Sequence, residues 1–442
     1  MGYKDKSVLS IFSGCGGMDL GFEGGFEVLK KSVNHQLLHD FEIFHTRPNW
    51  TKLPDTTFRT VFSNDIRLGA KVLWENHFSK LGLAKKTFHL ASIVDLVKHA
   101  KRGLFRFPED IDVVTGGFPC QDFSVAGKRK GFNSHKSHFG ELLHEMDDPT
   151  LENRGMLYMW MREVIDLTRP KMFIAENVKG LVSLSDAREI IENDFKSIGN
   201  NGYLVVNARV LNAAEFGVPQ SRERVIFFGF RKDLLKPEAL DALTQKEVPE
   251  EYDPYPQPTH SRNKQKKMLS FVTVKDAFSG LLEPEESNDL SQKKYSKAKW
   301  YGKHCQGQTE VNLNGIGPTI RSEHHGNIEY RRLNIEHGGK HFDELEQGLK
   351  ERRLTIRECA RLQTFPDEYE FIIQGNNEFP SVSASEAYKL IGNAVPPFLA
   401  YHIARRIEKL WSKLFYQEQN KIFDNILSTE PAPLQPSLFE LC

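Results

Sequence analysis

Apolar segments with strand character alternate with segments of helical spacing through the first half of the chain. Because strands that alternate with helices usually lie parallel in one sheet, we expect an α/β fold. Its sheet should be mostly parallel and covered by helices on both faces. The apolar segments are SVLSIF (7–12), RTVFSND (59–65), DVVTGG (112–117), KMFIAEN (171–177), YLVVNARVL (203–211) and RVIFFGF (224–230).

This rhythm stops after Arg231, where Pro, Gly, Lys, Asn and His become frequent and no sustained period is visible. A helical pattern returns over 384–411. A chain of 442 residues exceeds the usual size of one domain. We therefore predict a discontinuous larger domain of residues 1–232 and 384–442, and a smaller domain of residues 233–383.

The charge of the chain is balanced overall but unevenly distributed. Lys and Arg number 59 and Asp and Glu also number 59. Between Arg262 and Arg357, however, 18 basic residues face 13 acidic ones, an excess of +5. Either a polyanion-binding surface or an ordinary solvated surface would explain this excess.

Five scattered cysteines without a C-x-x-C pair indicate reduced thiols and no metal site. The first residues lack a long apolar stretch, so we expect a cytoplasmic protein with no membrane segment.

A glycine-rich loop, FSGCGG (12–17), follows the first predicted strand and precedes a helix. Glycines let backbone N–H groups approach a ligand closely, and a helix N-terminus favours negative charge. Asp65 ends the next strand, where a carboxylate could accept hydrogen bonds from a ribose. By themselves a tight turn and a solvated strand-end Asp explain these features equally well.

Two further strand ends carry reactive groups. Cys120 follows Pro119 in TGGFPCQDFS, directly after an apolar strand, and the basic loop beyond it suits a phosphate backbone. Glu176 and Asn177 follow another buried strand and should reach the same sheet edge, although a Glu there could simply cap a helix. In QSRERV (220–225), two arginines at i and i+2 should project from one face of an extended segment.

The four motifs, in this order and each at a strand end, resemble those of the DNA (cytosine-5)-methyltransferase family of restriction-modification type. Residues 352–369 resemble the motif that supports the target-recognition domain of that family, and 387–400 resemble its last motif. The resemblance implies a Rossmann-like fold that binds S-adenosyl-L-methionine (AdoMet). The cofactor-binding residues expected from it are Phe12, Ser13, Gly14, Cys15, Gly16, Gly17, Asp65, Ile66, Ser92, Ile93, Pro119, Asn393 and Val395.

The resemblance also implies a covalent mechanism on a cytosine flipped out of duplex DNA. Cys120 would attack the base, Glu176 would protonate it, and Arg222 and Arg224 would complete the catalytic set. The residues expected to contact DNA or the base are Gln121, Ser124, Lys128, Arg129, Asn177, Gln220, Arg321 and Arg331. The expected partners are double-stranded DNA and an endonuclease acting on the same site, and the enzyme should be monomeric.

The chain departs from the family pattern in three places. Ser92 stands where the family usually has an Asp that binds the adenine, and Asp95 could substitute for it. Residues 34–58 and 133–153 are longer than usual, either as plain surface insertions or as DNA-facing elements. Two alternatives remain open, a transfer-RNA cytosine-5 methyltransferase and a DNA-binding relative without activity.

Overall fold

A computed structural model defines most of the chain. The residues that the structure describes are 6–37, 44–45, 47–118, 157–183, 187–199, 202–263, 265–322, 327–375 and 380–416. In chain order the strands are β1 (Lys6–Ile11), β2 (Glu27–Leu29), β3 (Phe44–His45), β4 (Trp50–Lys52), β5 (Phe58–Asp65), β6 (Phe88–Leu90), β7 (Val113–Gly117), β8 (Met172–Val178), β9 (Tyr203–Asn212), β10 (Glu223–Arg231), β11 (His260–Ser261), β12 (Leu269–Ser270), β13 (Tyr330–Arg332) and β14 (Arg352–Arg353).

The helices of the described residues are short except at the C-terminal end. They are α1 (Gly17–Glu23), α2 (Leu68–Phe78), α3 (Ile93–Lys101), α4 (Leu157–Thr168), α5 (Ala187–Lys196), α6 (Pro237–Thr244), α7 (Val274–Ala277), α8 (Leu290–Lys293), α9 (Phe342–Glu346), α10 (Ile356–Leu362), α11 (Ala384–Asn393) and α12 (Pro397–Leu414).

One seven-stranded sheet organises the molecule, with strand order β6-β5-β1-β7-β8-β10-β9. Adjacent strands of this sheet are parallel, except that β10 runs antiparallel to both β8 and β9. Each of the six apolar segments named above forms one of these strands. The predicted α/β class and the mostly parallel sheet are therefore confirmed.

Helices cover both faces of the sheet, because alternate residues of a strand point to opposite sides. Val8 packs in a cluster with residues of α1, α2 and α12, whereas its neighbour Leu9 packs in a second cluster with residues of α3, α4 and α5. Both side chains are fully buried. The near-continuous apolar composition of the strands follows from this double burial.

The sheet brings the ends of its strands to one edge. Parallel strands end together, and β10 starts at that edge because it runs the opposite way. Gly117 of β7 pairs with Glu176 of β8, and Val178 of β8 pairs with Arg224 of β10. Glu176 and Arg224 thus share one edge of the sheet with the end of β7, and Cys120 beyond β7 lies outside the described residues.

Residues 233–383 form short elements and two small sheets, β11-β12 and β13-β14, as the irregular sequence predicts. The predicted domain boundaries stay a prediction. The helical pattern expected over 384–411 is instead two helices, α11 and α12, separated at residues 394–396. Pro396 and Pro397 explain the break, since proline lacks the N–H that would continue α11.

The segment 34–58 contributes to a three-stranded sheet of order β2-β4-β3. The Asn34 amide donates to the carbonyls of Thr259 (2.9 Å) and Lys267 (2.8 Å). The Arg47 guanidinium lies 2.8 Å from the Asp367 carboxylate and 4.1 Å from the centre of the Trp50 ring. The segment is therefore packed against residues of the second half of the chain.

We expect a buried histidine to make the fold acid-sensitive. His77 of α2 is 4% exposed, stacks on Tyr369, and has no hydrogen-bond partner for either ring nitrogen among the described residues. Burial lowers the pKa of His77 from 6.5 to about 3. The unfolded chain therefore binds a proton below pH 6.5 that the folded chain does not, and stability falls by about 1.4 kcal/mol per pH unit as the pH drops.

Urea unfolding of the wild type and of His77→Leu at pH 7 and pH 5 measures this effect. The variant should lose less stability between the two pH values. His99→Leu, at an exposed position of α3, is the matched control and should behave as the wild type. An equal pH dependence in His77→Leu and the wild type would rule out this role for His77.

Candidate active site

The turn between β1 and α1 has the backbone shape that the glycine motif predicts. Phe12, Gly14 and Gly16 have φ values of 54°, 55° and 76°, in the left-handed region. The Gly14 N–H donates to Oδ2 of Asp65 at 3.0 Å, so the first two motifs are joined directly. Asp65 also accepts from the Arg67 N–H at 2.9 Å, while burial raises the pKa of its carboxyl.

A buried acid, Asp19, supports this turn. The sequence did not predict this role. Asp19 accepts hydrogen bonds from the hydroxyl of Ser10 (2.5 Å), the hydroxyl of Ser63 (3.0 Å) and the indole of Trp74 (2.6 Å). The Ser13 hydroxyl lies 3.0 Å from that of Ser10, which ties the turn to this network. Burial raises the pKa of Asp19. The one sequence signal was an acid inside an otherwise apolar, glycine-rich helix start.

The C-terminal helices close over the same turn. A Cβ on Gly17 would lie 2.3 Å from the carbonyl oxygen of Val395, so only glycine allows this approach. The Tyr369 hydroxyl donates to the carbonyl of Cys15 at 2.5 Å. Val395 is buried, and Asn393, the last residue of α11, is exposed. The predicted closure of the first motif by the last is consistent with these contacts.

The arrangement leaves room for a nucleotide-like cofactor at the strand ends. A Cβ on Gly14 would meet nothing within 4 Å, and the apolar Ile66 beyond Asp65 is 44% exposed. Ser92 and Ile93, at the start of α3, are buried, and Asp95 lies in the first turn of that helix. A carboxylate, an exposed apolar side chain and open space over a glycine fit the ribose and adenine of AdoMet. The adenine contact of Ser92 or Asp95 stays a prediction.

Gly17→Ala should weaken cofactor binding and lower stability by about 1–3 kcal/mol, because the added methyl group forces Val395 away from the turn. Calorimetric titration with AdoMet and urea unfolding measure the two effects. Gly69→Ala is the matched control, since its Cβ would meet only the flexible side chain of Glu386. Affinity and stability that remain at wild-type values in Gly17→Ala would contradict this packing.

Glu176 and Arg224 form an ion pair at the site edge. Nε of Arg224 lies 2.8 Å from Oε1 of Glu176, and both side chains are largely buried. Burial raises the pKa of Glu176, while the charges of Arg224 and Arg222 act in the opposite direction and only reduce this rise. A buried carboxyl with a raised pKa is suited to general acid chemistry.

Asn177 links the acid to the segment of the predicted nucleophile. Its side-chain amide donates to the carbonyl of Phe118 at 3.1 Å, two residues before Cys120. Asn177 is 1% exposed, so the structure supports a positioning role for it and not the predicted base contact. The predicted residues that lie outside the described residues are Pro119, Cys120, Gln121, Ser124, Lys128 and Arg129.

We expected Arg222, Gln220 and Arg224 to act together on the DNA base. The structure corrects this expectation for Arg222 and Gln220. Arg222 is fully buried and donates to the carbonyls of Ile320 (2.9 Å), Gly392 (2.7 Å) and Ala394 (2.9 Å). Gln220 is also fully buried and hydrogen-bonds to the backbone of Leu362 and Ile320. Both hold the C-terminal motifs against β10, so a direct contact with the base is not supported for either.

Arg321 and Arg331, predicted to contact DNA, are engaged within the protein. Arg321 lies 3.0 Å from the Glu329 carboxylate and Arg331 lies 2.7 Å from that of Glu344. These carboxylates neutralise the charges that a phosphate would need. The structure therefore gives no support for either arginine as a primary phosphate contact.

The mostly parallel sheet, with one antiparallel strand beside its outer edge and a glycine turn after the first strand, is a Rossmann-like α/β fold. The family model of C-5 cytosine-specific DNA methylases matches residues 6–409. The chain belongs to this family, and the predicted family and class of reaction are confirmed. AdoMet dependence follows from that membership.

Curated relatives agree over most of the chain. The type II methyltransferase M.BsuRI of Bacillus subtilis is 30% identical over 411 residues, covering 91% of this chain and 79% of the relative. M.NgoPII of Neisseria gonorrhoeae is 30% identical, covering 92% and 96%.

Solved structures share the fold at low sequence identity. A prophage-encoded DNA modification methyltransferase of E. coli has a TM-score of 0.52 at 19% identity, covering 92% of this chain and 99% of that one. A DNMT2 of Spodoptera frugiperda has a TM-score of 0.51 at 16% identity, with the same coverage.

The described residues contain neither a candidate membrane span nor a candidate metal cluster. Among them, no helix combines the length and apolar character needed to span a bilayer. The same residues contain no cluster of three or more His, Cys, Asp or Glu side chains placed to hold a metal ion.

Proposed function

We propose that this enzyme methylates carbon 5 of a cytosine within a short, specific sequence of double-stranded DNA, through a covalent adduct of Cys120. The observation that carries the proposal is the buried pair of Glu176 and Arg224 at the sheet edge, opposite Gly117. Asn177 fixes the backbone that leads from this edge toward Cys120. An acid and a nucleophile would thus reach one base.

The chemistry needs both groups, because carbon 5 of a neutral cytosine is a weak nucleophile. Addition of the Cys120 thiolate at carbon 6, with transfer of a proton from Glu176 to ring nitrogen 3, makes carbon 5 electron-rich. Bound AdoMet supplies the methyl group. Methyl transfer leaves S-adenosyl-L-homocysteine. Water then accepts the proton from carbon 5, Cys120 is eliminated as its thiolate, and the proton on ring nitrogen 3 returns to Glu176, which restores the aromatic ring.

The chain's own residues prepare this reaction. Burial of Glu176 favours its protonated form, and Arg224 orients the carboxyl through its Nε contact. Gly14, Asp65 and Ile66 would hold the cofactor at the strand ends, with Val395 closing the turn. Flipping the cytosine costs roughly a few kcal/mol, which contacts to the phosphates and the base must offset.

We further propose that the enzyme protects DNA from an endonuclease that cuts the same sequence, in the bacterial cytoplasm. The support is that curated relatives at about 30% identity over most of the chain are type II methyltransferases. Bisulfite sequencing of DNA from cells that express the chain tests activity and site together. Methylation confined to one short sequence is expected.

A second assay distinguishes the transfer-RNA alternative. Purified enzyme is offered duplex DNA and transfer RNA separately, with AdoMet labelled on its methyl group. Label in the DNA alone supports the proposal. Label in the RNA alone would overturn it.

A further inference from the structure

A group of exposed lysines lies in a segment that the predicted mechanism does not use. Residues 290–309 contain five lysines, one histidine and no Asp or Glu, in a chain whose formal net charge is zero. The lysines are all exposed, and none forms an ion pair with a carboxylate of the described residues. They are Lys293, Lys294, Lys297, Lys299 and Lys303. We call residues 293–304 the lysine segment.

The lysines of this segment, unlike the arginines nearby, form no ion pair with a carboxylate of the described residues. Arg321 and Arg331 are held by Glu329 and Glu344, at 3.0 Å and 2.7 Å. Lysines without such partners give a positive surface potential that attracts a polyanion. The five lysines of the lysine segment contribute to the excess of +5 found in the sequence between residues 262 and 357.

The backbone of the lysine segment is fixed to the protein interior. The guanidinium of Arg353, 1% exposed, donates to the carbonyls of Ala298 (2.8 Å), Lys299 (3.0 Å) and Gly307 (2.7 Å). The N–H of Ser296 donates to the Tyr388 hydroxyl at 3.2 Å. Because the backbone is already ordered, a ligand bound by the lysines need not order it, which favours affinity.

The lysine segment is connected to the active-site edge by direct contacts. Gln306, just beyond it, accepts from Arg321 at 3.2 Å, and the adjacent Ile320 carbonyl accepts from Arg222 at 2.9 Å. Arg222 lies two residues before Arg224, the partner of Glu176. Tyr388, which holds Ser296, belongs to α11, the helix that ends at the cofactor turn. These contacts link the lysine segment, through its neighbour Gln306 and through Tyr388 of α11, to elements that also carry the site.

We propose that the lysine segment binds the phosphate backbone of duplex DNA beside the target cytosine. This inference rests on the proposed function and assigns the main phosphate contact to lysines, in place of Arg321 and Arg331. Aromatic residues interleave with the lysines, and Tyr301 is 61% exposed at the tip of the segment. Such interleaving suits the alternating charged and apolar surface of a nucleic-acid backbone.

Lys299→Gln combined with Lys303→Gln tests the assignment. Each phosphate contact contributes about 0.9 to the slope of log Kd against log salt concentration. Loss of two contacts should lower this slope by about 1.8 and raise Kd for duplex DNA at 0.1 M salt at least about fivefold. Fluorescence anisotropy with a labelled duplex measures both, and calorimetry with AdoMet verifies that the variant is folded.

The matched control removes the same charge elsewhere. Lys196 is the last residue of α5 and Lys232 follows β10, and both are exposed at the sheet edge opposite the active site. Lys196→Gln with Lys232→Gln should keep the wild-type slope and Kd. If Lys299→Gln with Lys303→Gln kept the wild-type slope and Kd, and the wild type methylated DNA, the proposed DNA contact of the lysine segment would be refuted and the proposed function would stand. A wild type that binds duplex DNA without methylating it would instead refute the proposed function.

The reactivity of Cys305 provides a second test, which measures whether DNA lies next to the lysine segment. It is a free, partly exposed cysteine immediately after the lysine segment. Duplex DNA should slow its reaction with a maleimide severalfold, as followed by mass spectrometry of the peptide that contains it. An unchanged rate at saturating DNA would count against contact at this segment.

Discussion

Cys120→Ser is expected to lower the rate of methyl transfer by at least about 1000-fold, because the hydroxyl of serine is a far weaker nucleophile than a thiolate. Binding of AdoMet should persist, since we expect the turn after β1, Asp65 and the C-terminal helices to make most of the cofactor contacts. Single-turnover transfer of labelled methyl to duplex DNA gives the rate. Calorimetry gives the affinity for AdoMet.

Two additional observations separate a covalent role from a structural one. DNA carrying 5-fluorocytosine at the target should form a stable adduct with the wild type, because fluorine cannot leave as the proton does. Cys120→Ser should form none. Cys305→Ser removes a free cysteine that the mechanism does not use and should react as the wild type. Near-normal turnover in Cys120→Ser would exclude the covalent mechanism.

The sheet was predictable because its strands carry their own signal. β1, β5, β7, β8, β9 and β10 each contain buried apolar residues, and all but β9 and β10 are separated by helices, so the pattern depends only on neighbouring residues. The shared edge of Asp65, Glu176 and Arg224 then follows from strand direction. Their place in the site could be predicted from the sequence, because the geometry of a parallel sheet fixes where its strands end.

The functions of Arg222, Gln220 and Asn177 were not predictable in the same way. The resemblance predicts that these residues lie near the flipped base, yet their side chains hydrogen-bond to the backbone of distant segments. No local pattern reports such long-range contacts. The same is true of Asp19, whose three donors come from β1, β5 and α2.

Tertiary contacts also decide which basic residues of 233–383 are available to DNA. Sequence alone gives the sign of each charge but not whether a carboxylate neutralises it. Glu329 and Glu344 pair with Arg321 and Arg331, whereas the five lysines of the lysine segment stay exposed. Burial and pairing, both tertiary properties, decide which charges are available to DNA.

Glu176→Gln is expected to lower kcat by about 100-fold to 10,000-fold, the usual contribution of a positioned general acid. Glutamine keeps the size of the side chain and can still hydrogen-bond to the base, but it cannot transfer a proton to ring nitrogen 3. Burial raises the pKa of Glu176, so the wild type holds the proton to a higher pH than an exposed glutamate does. As the pH rises through this pKa, the proton is lost and the wild-type rate should fall.

The pH profile therefore distinguishes proton transfer from a structural role. Glu176→Gln should be slow throughout and should lack the decline that deprotonation of Glu176 causes. Glu223→Gln is the matched control at the same edge, because Glu223 is more exposed and pairs with Lys179 at 2.8 Å instead of Arg224. It should keep kcat and its pH profile close to wild type. If Glu176→Gln and Glu223→Gln turned over DNA equally well, Glu176 would have no part in the chemistry, and the burial that raises its pKa would serve only the packing of β8 against β10.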